Sequence, residues 1–225
     1  MKKIDVKGAI VRNGEKKFYE WFGMDATCPK DIADAIYEAN GEPIVIEINS
    51  GGGDIFAGSE IYTALMNYTG GVEIHIVGLA ASAASVIAQA GRCKISPTAL
   101  FMVHNVSGGA SGDYRDMQHE ADVLETANRS IAAAYMNKTG KTMDELLGIM
   151  DNETWMDAQK AVEYGFVDEI MFADAPTFTN GIGVLSAETI NKMRNFVQVP
   201  EDKEKKTAKA KLNLLRIKGE MKHEI

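Results

Sequence analysis

The stretch Ile44-Val45-Ile46-Glu47-Ile48-Asn49-Ser50-Gly51-Gly52-Gly53-Asp54 decides the fold. Its first five residues hold four apolar β-branched side chains, the composition of a short buried strand. The glycines and Asp54 then make a turn, and Ile55 to Tyr68 has the apolar spacing of a helix that stops at Gly70-Gly71. Val72 to Val77 is the next strand. A strand, a helix and a strand joined by short turns form the right-handed crossover of a parallel sheet.

Working outward, the same alternation continues. Ile4 to Val11 and Phe18 to Phe22 read as strands, and Pro29 opens a helix to about Asn40, at a position where its missing N–H is harmless. Downstream, Ser82 to Ala90 is a helix of small residues closed by Gly91, followed by strands at Cys93 to Ile95 and Ala99 to Val103. A Gly-rich loop from Asn105 to Tyr114 precedes a long helix from Arg115 to about Lys138. Helices at Thr142 to Met150 and Ala158 to Tyr164 lead to a last strand, Phe166 to Met171. The expectation is an α/β domain of parallel strands over residues 1–174. Residues 175–225 form a linker and a charged, partly helical tail. From Pro200 onward the tail has eight Lys and Arg against five Asp and Glu, so it carries +3 and the rest −11 of a total of −8.

A chain of 225 residues, 45% of them apolar, can bury a sizeable core. Its net charge of −8 and pI near 5.1 argue against nucleic acid as a partner, because phosphate binding needs a basic face. Two cysteines, Cys28 and Cys93, are too few for a disulfide framework or a metal cluster and fit a reducing compartment. No apolar run is long enough for a secretory signal or a membrane span, so the expected location is the cytoplasm.

Three features can carry chemistry. The first is the Ser50-Gly51-Gly52-Gly53-Asp54 turn, where backbone can approach a ligand with free N–H groups. A phosphate loop would follow the glycines with Lys and Ser or Thr, and a dinucleotide fingerprint would place Gly or Ala at position 56, which is Phe56. What remains is a tight structural turn or an oxyanion hole. The second feature is Gly78-Leu79-Ala80-Ala81-Ser82-Ala83-Ala84-Ser85, directly after a strand. A nucleophilic serine benefits from such a turn, where small neighbours admit substrate and free N–H groups face the developing oxyanion. Ser82 sits there, while Ser85, one turn on, reads as packing; close helix packing alone also explains the small residues. The third is a base for that serine. Of four histidines, only His104 ends a strand and precedes a flexible loop. An acid to hold its tautomer comes from Asp151-Asn152-Glu153, although acids at a helix end are usually just solvated.

Together these residues resemble the Clp protease proteolytic subunit family over residues 4–172. The family has an Ile-Asn-Ser-Pro-Gly-Gly run, a Gly-x-Ala-Ser-Met-Gly run, a Met-Ile-His-Gln-Pro run and a Glu-Tyr-Gly-Leu-Ile-Asp run. Here they read Ile48-Asn49-Ser50-Gly51-Gly52-Gly53, Gly78-Leu79-Ala80-Ala81-Ser82-Ala83-Ala84, Met102-Val103-His104-Asn105-Val106 and Glu163-Tyr164-Gly165-Phe166-Val167-Asp168. The resemblance implies a serine endopeptidase with Ser82 as nucleophile, His104 as base, and Gly53 and Ala83 as oxyanion donors. By spacing it puts the triad acid at Glu153, with Asp151 as the alternative, and it implies no cofactor and no metal. It also implies a crotonase-like spiral of ββα units with a long handle helix. The implied assembly is a homo-oligomer of heptameric rings that stack to a tetradecamer, acts on peptide or protein substrates, and has uncertain docking to an AAA+ unfoldase. A short N-terminal segment and a long tail look like the Clp-like head-maturation proteases of phages and prophages.

Two readings from other classes compete. Acyl-CoA enzymes of the crotonase type share the spiral and use paired backbone N–H groups without a Ser-His pair. A non-catalytic assembly protein on the same scaffold would have the fold and no reactive serine.

Overall fold

In the computed structural model, which describes residues 1–173, the strand at the head of the deciding stretch is longer than its apolar run. It is β3, Ile44–Gly53, and takes in the glycines as well. β1 (Lys2–Ile10) lies parallel on one side of it and β4 (Val72–Ala81) on the other. Ile44, Ile46, Ile48, Ile74 and Ile76 are all fully buried on the face that packs into the core, while Lys3, Asp5, Glu47, Glu73 and His75 alternate with them on the other, more open face. β2 (Ala26–Thr27) adds to the outer edge of β1. The connections are α2 (Pro29–Ala39) and α3 (Ile55–Met66), capped by Asn40 in the left-handed region and by the Asp54 carboxylate on Ala57 N–H, respectively.

Beyond β4 the sheet branches. The first half of β4, Glu73 to Ile76, pairs with β5 (Arg92–Ile95), which in turn pairs with β8 (Glu169–Ile170). The second half, Leu79 to Ala81, pairs with β6 (Leu100–Val103). A short helix α4 (Ala83–Ile87) and a 3-10 turn at Ala88–Ala90 fill the space behind the fork. The long helix α5 (Tyr114–Thr139) buries only its C-terminal part, at Ala132, Ala134 and Tyr135. There Tyr135 sets its ring edge-on to Phe166 at 5.4 Å, and Phe166 lies 5.3 Å from Phe101. Helix α6 (Met143–Asp151), strand β7 (Thr154–Met156) and helix α7 (Ala158–Glu163) complete the described chain.

Four expectations need correction. Phe18 to Phe22 is not a strand; it lies in helix α1, Lys16–Trp21, and its C-cap. Phe18, Trp21 and Phe22 are spaced three and four apart, the spacing of one helical face, and are 64%, 79% and 67% exposed, so their apolarity marks no core. The last strand shrinks to two residues because Phe166 and Val167 give their N–H groups to Ala161 O at the end of α7. The sheet is not wholly parallel, since β7 runs antiparallel to β6. Finally, β2 and β7 are strands that the sequence reading does not contain. The linker and helical tail lie outside the described residues. Among the described residues, no helix is long and apolar enough to cross a membrane.

Candidate active site

The fork of β4 creates the site. Ala81 pairs with Met102, and Ser82 N–H donates to Met102 O at 3.2 Å, so the residue after β4 and the residue after β6 emerge side by side. These are Ser82 and His104, and Ser82 Oγ lies 2.8 Å from His104 Nε2. Ser82 takes φ 54 and ψ −128, a conformation that costs a non-glycine residue energy and turns its side chain out of the strand. Helix α4 starts at the next residue, Ala83.

The turn is held from two sides. In front stands Gly52, with φ 92; a Cβ there would lie 2.7 Å from Ala81 O, 2.7 Å from Ser82 Cβ and 2.9 Å from Ala83 N. Only a glycine lets the end of β3 pass so close. Ser50 Oγ fixes that end by donating to Gly8 O at 2.6 Å and accepting from Gly52 N–H at 3.1 Å. Behind, Ser85 Oγ donates to Ser82 O at 2.6 Å and meets Tyr135 Oη at 2.7 Å. Burial raises the Tyr135 hydroxyl well above its ordinary value despite the Ser85 contact, so it acts as a neutral hydrogen-bonding group. Ser85 is fully buried, in agreement with its reading as packing.

Gly53, Ser82, Ala83 and His104 line one cavity of about 210 Å³, with Val86, Val106 and Ile131 as apolar wall. At the end of β3 it is Asp54 N–H, not that of Gly53, that donates to Ile10 O, at 2.8 Å.

The acidic residues are placed differently. Asp151, at the last turn of α6, accepts from Asn105 Nδ2 at 2.8 Å. Glu153 has φ 44 and accepts from Trp155 Nε1 at 3.2 Å. Among the described residues neither carboxylate bonds His104. The antiparallel register pairs Met102 with Trp155 and Val103 with Thr154, so one further step sets Glu153 opposite His104. Of the other histidines, His75 meets Glu73 at 2.7 Å and His119 is exposed on α5, while His223 lies outside the described residues. Among the described residues no three His, Cys, Asp or Glu side chains converge as metal ligands. Cys93 is buried and its thiol is pushed up to about 12, chiefly by desolvation, so it is no nucleophile.

Sequence reasoning missed Ser50, Asn105 and Tyr135 as site-holding residues. For Ser50 a signal existed, since a serine before three glycines is suited to bonding its own turn. For Tyr135 there was none, because nothing local ties a helical tyrosine to a serine fifty residues earlier.

Residues 32–174 match the sequence profile of the Clp protease family. The chain belongs to that family. The ATP-dependent Clp protease proteolytic subunit 1 of Chlamydia abortus is 32% identical over 165 residues, which cover 68% of this chain and 85% of that protein. An ATP-dependent Clp protease proteolytic subunit of Bacteroides fragilis is 33% identical over 134 residues, 58% of this chain, and the match spans 65% of that protein's length. Among solved structures, a mutant of ClpP1 from Listeria monocytogenes superposes with a TM-score of 0.61 at 23% identity, covering 76% of this chain and 91% of that one. The branched α/β sheet with its long α5 is therefore the Clp protease fold, and this chain is a serine-type peptidase.

Proposed function

We propose that this Clp protease family member is an endopeptidase in which Ser82 Oγ attacks the scissile carbonyl while His104 Nε2 takes its proton. The 2.8 Å contact between these atoms, inside a cavity wide enough for a substrate side chain, carries the reading. Attack converts the carbonyl oxygen to an oxyanion, and the N–H groups of Gly53 and Ala83, at the strand end and the helix start, are the donors assigned to it. His104 then returns the proton to the leaving amine; water repeats the cycle on the acyl-enzyme.

The orienting acid is assigned to Glu153. Its support is the strand register that sets it opposite His104 and the left-handed backbone that breaks the ladder there. To act, its carboxylate must leave the Trp155 indole for His104 Nδ1. Asp151 is the alternative, already engaged by Asn105.

The reading extends to a homo-oligomer of heptameric rings, stacked in pairs, in the cytoplasm. The words "ATP-dependent" and "subunit" in the relatives' names support an assembly that works with an ATP-driven unfoldase. Residues 1–174 form the peptidase domain in this proposal and residues 175–225 an accessory tail. The resemblance to phage head-maturation proteases makes a capsid or scaffold protein the first substrate to try.

Fluorophosphonate treatment followed by intact mass and peptide mapping tests the core of it. One adduct on Ser82, with loss of peptide hydrolysis, is the expected result. An intact, folded sample that takes no adduct, or takes it at Ser85, overturns the assignment.

A further inference from the structure

A second hollow of about 290 Å³ opens off the Ser82 cavity, and the two share Gly53, Ile55, Val106 and Ser107. A side chain next to a bond held at Ser82 is therefore within reach of it. Its walls are apolar: Ile55 and Phe56 from the start of α3, and Val123 and Leu124 from the otherwise unburied half of α5. Phe56 is 71% exposed, so its ring is open to a ligand side chain.

Two carboxylates line the hollow and, among the described residues, no cationic side chain does. Asp54 is already spent, accepting from Ala57 N–H at 2.8 Å and from Arg12 Nε at 2.8 Å. Glu120 is different. It is half-buried, one turn before Leu124, and makes no hydrogen bond or ion pair among the described residues. It packs against the loop at Gly108, where a Cβ would come within 3.1 Å of its Oε1.

Glu120 sets a carboxylate, unpartnered among the described residues, beside apolar walls. A neutral ligand side chain filling the hollow would bury that carboxylate unpaired, which is unfavourable. A side chain with a long aliphatic stem and a cationic end satisfies both parts, laying the stem on the walls and the charge at Glu120. We infer that this hollow is a substrate subsite selecting a lysine or arginine of the peptide, with Glu120 as its specificity-determining residue. The inference rests on the endopeptidase reading above and adds the chemical class of peptide it takes.

The test is digestion of a diverse synthetic peptide library by the full chain, with cleavage sites mapped by mass spectrometry. Lysine and arginine should be enriched at one position flanking the scissile bond. For a peptide pair differing only by lysine or norleucine there, kcat/KM should favour lysine by about tenfold, equivalent to about 1.4 kcal/mol. That ratio should fall towards one in E120Q, and E120K should turn the preference against basic residues. Raising the ionic strength should shrink the wild-type ratio, because a half-open ion pair is screened. Cleavage by the wild type with no basic enrichment, or enrichment that survives in E120Q, sinks the subsite and leaves the peptidase standing. A wild type that cleaves no peptide and takes no fluorophosphonate removes the peptidase reading, and the subsite with it.

Discussion

Ser82 and His104 are carried by the ends of two neighbouring parallel strands, whereas Asp151 and Glu153 lie on the exposed join between α6 and β7. The first pair is set by the register of a buried sheet, backed by Gly52 in front and Ser85 with Tyr135 behind. The second pair sits on a short exposed join, between the buried Met150 of α6 and the short β7 ladder, with Asp151 held by the Asn105 bond. The nucleophile and base are thus positioned by the ends of core strands, while the acid is positioned by the three exposed residues Asp151, Asn152 and Glu153 between two buried anchors, Met150 and Met156.

The most severe test of that contrast is Ser82→Ala. Removing a triad nucleophile should lower kcat by up to about 10⁶-fold, with an unchanged unfolding midpoint, since the hydroxyl adds little to packing. Residual hydrolysis near the wild-type rate would show that the core-built pair is not the reactive one. Next comes the acid. Glu153→Gln should reduce kcat by about 10²-fold or more, and Asp151→Asn by less than about tenfold, because only the true orienter stabilises the imidazolium. Steady-state kinetics on a small peptide decide it, and a reversal of the two effects transfers the role to Asp151.

Gly52→Ala probes the front support. Its Cβ would collide with the Ser82 turn, and its φ of 92 is unfavourable for alanine, so a loss of about 1–3 kcal/mol in urea unfolding is expected, together with loss of activity. Wild-type stability and rate would mean that the turn tolerates displacement and is not clamped. The smallest effect lies on the sheet away from the site. The hydrogen bond from Lys94, and then that from His75, hold the Glu73 carboxyl below its ordinary value of 4.5. A depressed folded value means stability present in full above that ordinary value and lost as pH falls through the folded one. Glu73→Gln should therefore cost about 0.5 kcal/mol at neutral pH, and the gap to wild type should close in acid. A gap that persists at low pH would make packing, not charge, the cause.

Much of this architecture is legible in the chain. Ile44 to Ile48 and Val72 to Val77 declare themselves by β-branched composition, and Pro29 and Gly70 mark helix limits, because these signals are local. The positions of Ser82 and His104 at element ends are equally local. Their proximity is not, since it depends on β4 sharing itself between β5 and β6. Thr154-Trp155-Met156 is too short for any alternation to show, so β7 and the register that sets Glu153 opposite His104 appear only in three dimensions. Phe18 to Phe22 is the opposite case: its strongly apolar composition suggests a strand although the spacing of Phe18, Trp21 and Phe22 is helical.

The forked sheet has one more consequence. A simple open sheet has two free margins, while a branched one has three, and each is a template on which a stray extended chain can pair. Here, among the described residues, two of those margins are β7 and β8, of three and two residues, while at the third β2 covers only Ala9 and Ile10 of the nine-residue β1. The uncovered length of β1 is guarded by charge instead, with Lys3, Asp5 and Lys7 alternating along it, which discourages pairing with a stray strand. Short margins at two ends and a charged one at the third leave an extended polypeptide few places to adhere outside the cleft, which guards a peptidase against aggregating with its own substrates.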